Sequence, residues 1–113
     1  MNGIFELKNA SAGQFMFNLK AGNAEIIFTS ENYVARTGAT NGIEAVRTNA
    51  PIDARYLKKT STDKQHYFVL KGRNGEPLGR SEMYTSTAAM DNGIASVKAN
   101  APTAVVKDHT RQR

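Results

Sequence analysis

The chain has 113 residues, 40% of them hydrophobic and 22% charged, with 15 Lys and Arg against 10 Asp and Glu and no cysteine. That length and balance suit one compact domain, or two half-size units sharing a core, and exclude wholesale disorder. Without thiols there are no disulfides, thiolate metal sites or cysteine nucleophiles, and with no basic-then-apolar start to suggest a signal peptide, the expected location is cytoplasmic.

Apolar runs such as Ile26-Ile27-Phe28 fall far below the roughly 20 residues of a membrane span, so no membrane association is expected. A first short strand is predicted over Ile4–Lys8, with a polar turn after it at Asn9–Gly13. A second strand comes next, in which Phe15, Phe17 and Leu19 alternate with more polar neighbours, one face buried and one wet. Gly22-Asn23 marks a hairpin turn before a third strand over Glu25–Thr29. The period then changes, because Ala39, Gly42, Ile43, Val46 and Ala50 recur at helical spacing over 38–50. Thr37 is the candidate N-cap, and Asn49 suits the left-handed position at the C-terminus, where Ala50-Pro51 ends the helix. A glycine inside the helix lowers its propensity by about 1 kcal/mol and predicts a close approach to the sheet. A closing strand is expected over Asp53–Tyr56, merging into the start of a second unit.

That second unit repeats the first. An offset of 51 aligns Gln14–Pro51 with Gln65–Pro102 without a gap, and sixteen of the 38 pairs are identical. The second copy therefore predicts a strand over Arg55–Lys59, a turn at Thr60–Lys64, and a strand in which His66, Phe68 and Leu70 face the core. Asn74-Gly75 signals a type I′ hairpin. Pro77 cannot donate to a ladder, which predicts an edge or a bulge in the next strand. A helix over 89–101, capped by Ser86 or Thr87 and ended by Asn100, and a last strand over Thr103–Lys107 complete the copy. The expected domains are a first repeat over 1–54, a second over 55–108 and a basic tail over 109–113. The fold class is α+β: a tandem repeat of two β-β-β-α-β units forming a single sheet backed by two helices, with pseudo-twofold symmetry and a monomeric chain.

Chemistry-bearing constellations are scarce. No His/Asp/Glu set has metal spacing, no Ser sits in a nucleophile elbow, and no phosphate loop is present, so no catalytic residue, metal or cofactor is expected. His66 aligns with Phe15 and is expected to be a core or semi-buried ring, and His109 falls in the polar tail. Ser30-Glu31-x-Tyr33 and Ser81-Glu82-x-Tyr84 fall between strand and helix, where binding groups commonly sit. Ser30, Glu31, Tyr33, Ser81, Glu82 and Tyr84 are therefore one candidate binding patch. The same residues suit a structural role, Ser and Glu satisfying free N–H groups while Tyr packs on the core. Charge offers a second candidate. Residues 1–53 net −1 and residues 54–113 net +6. Arg55, Lys58, Lys59, Lys64, Lys71, Arg73 and Arg80, interleaved with Tyr67 and Phe68, form a basic patch suited to a nucleic acid or another polyanion. A solvated basic strand accounts for the same residues. The reading is a small non-catalytic binding or interaction module, with nucleic-acid binding as the alternative and an enzyme with a site at the strand–helix loops as a third.

Phe17-x-Leu19-Lys20-Ala21-x-Asn23, Ser30-Glu31-x-Tyr33 and Asn41-Gly42-Ile43-x-x-Val46, with their partners in the second copy, resemble the YegP-like family of small uncharacterised bacterial proteins. The resemblance covers all but the tail from His109 onward. It implies tandem β-β-β-α-β units in a single sheet that exchange their C-terminal strands, and no activity. Ala24 departs from the family's usual Gly, and His66 from its usual aromatic residue.

Overall fold

In the computed structural model, which describes residues 3–110, the strands of both copies join one mixed sheet. The elements are β1 (Ile4–Asn9), β2 (Phe15–Lys20), β3 (Ile26–Ser30), α1 (Arg36–Asn49), β4 (Tyr56–Thr60), β5 (His66–Lys71), β6 (Pro77–Arg80), α2 (Thr87–Asn100) and β7 (Val105–Asp108), with short 3₁₀ turns at Ser11–Gly13 and Asp53–Arg55. The strand order is β4-β5-β6-β3-β2-β1-β7, antiparallel throughout except for the parallel β1–β7 pair.

The alternation read from the sequence sets the faces. Phe5 pairs with Leu19, Leu7 with Phe17, Leu19 with Phe28 and Lys58 with Phe68, so these side chains share one face. On it Phe5, Leu7, Phe17, Leu19, Phe28, Phe68 and Leu70 are fully buried, in one cluster with Ala39, Ile43 and Val46 of α1 and Met90, Ile94 and Val97 of α2. Both helices therefore cover the same face. The pseudo-twofold axis passes through the β3–β6 pair, where Thr29 lies opposite Arg80, its own equivalent at the offset of 51.

Several local expectations need correction. Positive φ occurs at Gly75 (82°) and not at Asn74, so the second hairpin is not type I′. Gly75 N–H donates to the Gly72 carbonyl and Gly72 N–H to that of Glu76, a turn closed by a bulged residue. The first hairpin repeats this with Ala24 at φ 71°. The N-cap of α1 is Ala35, without a side-chain bond, and Thr37 lies inside the helix, whereas Ser86 caps α2 by accepting from the Ala89 N–H at 3.0 Å. Asn49 and Asn100 are not left-handed. They are the last helical residues, and their amide groups donate to the Ala45 and Ser96 carbonyls at 2.8 Å. Of the two expectations for Pro77 the bulge is the one that holds: Pro77 opens an interior strand, the β5–β6 register slips between Leu70 and Lys71 opposite it, and β3 pairs only with the far end of β6. The strand expected over Asp53–Tyr56 is instead a 3₁₀ turn leading into β4. The exchange of closing strands consequently runs one way: β7 of the second copy lies beside β1 of the first, and among the described residues no strand pairs with the outer edge of β4.

Candidate functional site

Each Ser-Glu-x-Tyr element sits where a sheet strand breaks off toward a helix. Ser30 Oγ accepts from the Phe17 N–H at 2.8 Å and donates to the Glu31 carbonyl at 2.7 Å; Ser81 does the same with Phe68 (3.0 Å) and Glu82 (2.8 Å). Both serines are buried, and their hydroxyls are engaged within the chain. Tyr33 exchanges two backbone hydrogen bonds of 2.8 Å with Phe15, and Tyr84 exchanges bonds of 2.7 and 2.8 Å with His66. The half-buried rings then lie across the helix glycines. A Cβ added at Gly42 would fall 2.4 Å from the Tyr33 hydroxyl, and one at Gly93 2.4 Å from that of Tyr84. The matched glycine of each helix thus makes room for the matched Tyr, and Gly42 also for Phe17 of the sheet. Burial raises the pKa of both phenols, helped by the neighbouring Glu31 and Glu82 carboxylates. Glu31 and Glu82 remain exposed beside Arg80, which lines a 410 Å³ hollow with Glu31 and a 210 Å³ one with Glu82.

The basic residues are divided among three places. Lys58 points to the helix side and pairs with Asp91 at 2.9 Å, and Arg55 donates to the Asn49 side chain at 2.8 Å. Lys64 and Arg73 lie exposed in the turns at opposite ends of β5. Lys59, Lys71 and Arg80 come together on the face that neither helix covers, as the pairs Lys59–Tyr67, Leu57–Val69 and Val69–Arg80 establish. Tyr67, half-buried, stands among them. Sequence reasoning missed that β1, β2 and β7 add to this face. Ile4, Glu6 and Lys8 of β1 share it with Lys20 and Met16 of β2 and with Val105 and Lys107 of β7. The alternation of β1 carried that signal, since Phe5 and Leu7 turn one way and Glu6 and Lys8 the other.

Glu6 is the acid of this surface. It holds Lys20 at 3.1 Å and Lys8 at 3.4 Å, with His109 at 3.5 Å. Burial raises its pKa, but the hydrogen bonds and charges of Lys20 and Lys8 outweigh burial and leave it below the ordinary value. Among the described residues Lys59, Lys71, Arg80 and Lys107 have no ion-pair partner. No three His, Asp or Glu side chains among them converge as a metal ion would require. No helix among them is long and apolar enough to cross a membrane. Of the basic tail, Arg111–Arg113 lies outside the described residues.

This architecture defines a class: a tandem repeat of a small α+β unit whose two copies share one sheet and one core. The family model for a domain of unknown function, DUF1508, matches twice, over residues 10–56 and 61–108. The chain belongs to this DUF1508 family, represented among its relatives by the uncharacterised UPF0339 proteins. A UPF0339 protein of Bordetella pertussis is 57% identical over 111 residues, covering 98% of this chain and 99% of its own. The UPF0339 protein YegP of Escherichia coli K12 is 49% identical over 110 residues, covering 97% of this chain and all of its own. The solution NMR structure of E. coli yegP superposes with a TM-score of 0.93 at 48% identity, covering 100% of this chain and 97% of that one. That of a Shewanella oneidensis UPF0339 protein gives 0.91 at 53% identity, covering 97% and 93%.

Proposed function

We propose that this protein is a non-catalytic, monomeric binding module of the cytoplasm whose helix-free sheet face takes single-stranded nucleic acid. The observation that carries the reading is the grouping of three cations without ion-pair partners, Lys59, Lys71 and Arg80, around Tyr67 on that face. Single strands are held by cations that track the phosphates and by rings on which bases stack, and a flat sheet presents both without a pocket. Lys107 extends the positive surface at the far edge. The second Ser-Glu-x-Tyr element supports the surface from behind: the Ser81 hydroxyl holds the Phe68 N–H and the Tyr84 backbone pairs with His66, on either side of Tyr67.

The test is fluorescence anisotropy of a labelled oligothymidine against the intact chain over a range of salt. Three phosphate contacts predict a slope of about −2 in log K against log salt, at roughly −0.7 per contact for single strands. Tyr67→Ala should weaken binding about tenfold or more while Tyr67→Phe preserves it, stacking being worth about 1–3 kcal/mol per base. A triple Lys59→Gln, Lys71→Gln, Arg80→Gln variant that binds as well as the parent would refute the reading.

A further inference from the structure

The two repeats are not equally complete. In the first, β7 lies parallel to β1, with Ile4 opposite Val105, Phe5 opposite Val106, Glu6 opposite Lys107 and Leu7 opposite Asp108. The Val105 N–H donates to the Gly3 carbonyl at 3.2 Å and the His109 N–H to the Leu7 carbonyl at 2.8 Å. The lead-in is equally well held, since Arg47 donates to the carbonyls of Ala101 and Pro102 and Ala104 is 1% exposed.

The offset of 51 carries Phe5 onto Tyr56 and Leu7 onto Lys58, and the partner registers agree: Phe5 pairs with Leu19, Tyr56 with Leu70. The outer edge of β4 is therefore the counterpart of the edge that β7 covers. The segment that could cover it comes after α1, but the 3₁₀ turn Asp53–Arg55 diverts that segment into β4 itself. A groove of about 380 Å³ stays open between β4 and α2, lined by Asp53, Tyr56, Lys58, Asp91, Ile94 and Lys98. It corresponds to the space that Ala104 and β7 occupy over the first repeat.

We propose that β4 is the docking site for an extended segment of a partner protein, which adds an eighth strand parallel to β4 in the place β7 takes on β1. Strand addition draws its affinity from main-chain bonds and its selectivity from alternate side chains, and the register names those side chains. Opposite Tyr56 the segment carries an aliphatic residue, as Val106 lies opposite Phe5. The next position falls opposite Leu57, which is 39% exposed on the helix-free face, and takes a second apolar residue where β7 has Lys107 opposite Glu6. The position after that falls opposite Lys58 and takes a carboxylate. In the first repeat this place belongs to Asp108, whose carboxylate reaches Arg36 at the start of α1. The second repeat has Thr87 instead of that Arg and Lys58 instead of Leu7, so it supplies its cation from the strand. Asp91 holds Lys58 at 2.9 Å, with both side chains more than half exposed, and an incoming carboxylate shares the same ammonium. Lys98 and Asp53 pair at the other end of the groove.

A second copy of this chain is the poorer occupant. Antiparallel pairing of β4 with another β4 about its centre sets Lys58 against Lys58 or against Lys59 of the other copy, a like-charge juxtaposition that guards open edges. A second copy's β7 brings Lys107, rather than an apolar residue, to the position facing Leu57.

The probe is the peptide acetyl-Lys-Ala-Thr-Val-Val-Asp-Thr-amide, titrated into the ¹⁵N-labelled intact chain and monitored by amide shifts. The expected result is saturable shifts centred on β4 and on Asp91–Lys98, with affinity at least tenfold lower when the peptide Asp is replaced by Lys. Lys58→Glu should reverse that preference, a result that general loosening of the edge does not produce. Lys71→Gln with Arg80→Gln should leave peptide binding unchanged, which separates this site from the helix-free face. Absence of shifts at millimolar peptide, shifts confined to the helix-free face, or identical binding of the Asp and Lys peptides would each overturn the proposal. So would a concentration-dependent dimer abolished by Lys58→Glu, which would assign the edge to a second copy.

Discussion

Ala24 and Gly75 occupy the same place in the two copies, with φ of 71° and 82°. Left-handed backbone brings a Cβ against the next carbonyl at roughly 1–2 kcal/mol, a term that Gly escapes. A Cβ at Gly75 would meet nothing within 4 Å, so the difference between the two sites is one of backbone rather than packing. Ala24→Gly is therefore expected to stabilise the protein by about 0.5–1 kcal/mol, the relief being partly offset by the greater freedom of unfolded Gly. Denaturant unfolding of the two chains checks this, and an unchanged or lowered midpoint would show the first hairpin to be unstrained. The departure at Ala24 was legible as a change of residue type; its conformation was not. The matched asparagines behave similarly. Asn23 and Asn74 each accept from the N–H two residues on, at 3.1 Å, and Asn49 and Asn100 tie down helix ends through their side chains. Duplication pointed to these positions, but the side-chain partners are set by where the chain turns next.

Among the elements, β7 is the one that makes two repeats a single sheet, and its hold is partly electrostatic. Asp108 is pulled down to a pKa of about 2 by the hydroxyl and N–H of Thr110 and by the Arg36 guanidinium. A folded-state pKa below the unfolded value contributes stability that is fully present above the unfolded pKa, near 4, and is lost as pH falls through about 2. The Asp108 site is exposed, so solvent screening limits the contribution to about 1 kcal/mol or less. We expect wild type and Asp108→Asn to differ in melting temperature at neutral pH and to converge between pH 4 and pH 2. Circular dichroism melts across that range are the measurement, and a gap undiminished at pH 2 would place the contribution elsewhere. The helices illustrate what local signals carry. Both spans were legible from the 3.6-residue period, whereas the cap of α1 was not: position 35 holds Ala where its counterpart holds the capping Ser86. Thr37 was the nearest capping residue type, and it lies inside the first turn rather than at its start.

For the molecule as a whole, the shared sheet makes each half dependent on the other. Residues 1–54 alone would leave β1 without β7 and β3 without β6, exposing two edges, and would strip from α1 the face that packs on β5 and β6. We expect that fragment to be unfolded at low concentration, or to dimerise as it folds. Sedimentation together with far-ultraviolet circular dichroism distinguishes these from a stably folded monomeric half, which would contradict a single cooperative unit.

By itself the sequence determined the duplication, the helical period of α1 and α2 and the inward face of the second strand of each copy, because side-chain alternation and helical spacing are local and each copy repeats them. It also located the basic second copy, though not which of those cations share a surface. Which strands become neighbours was decided only in three dimensions. The six positions after each helix, none of them identical between the copies, turn back into the next strand at 52–57 and run on beside β1 at 103–108. After α1 the segment becomes the first strand of the second repeat, and after α2 it pairs with the still open edge of β1. That long-range choice covers β1 with β7 and leaves the groove beside β4 uncovered.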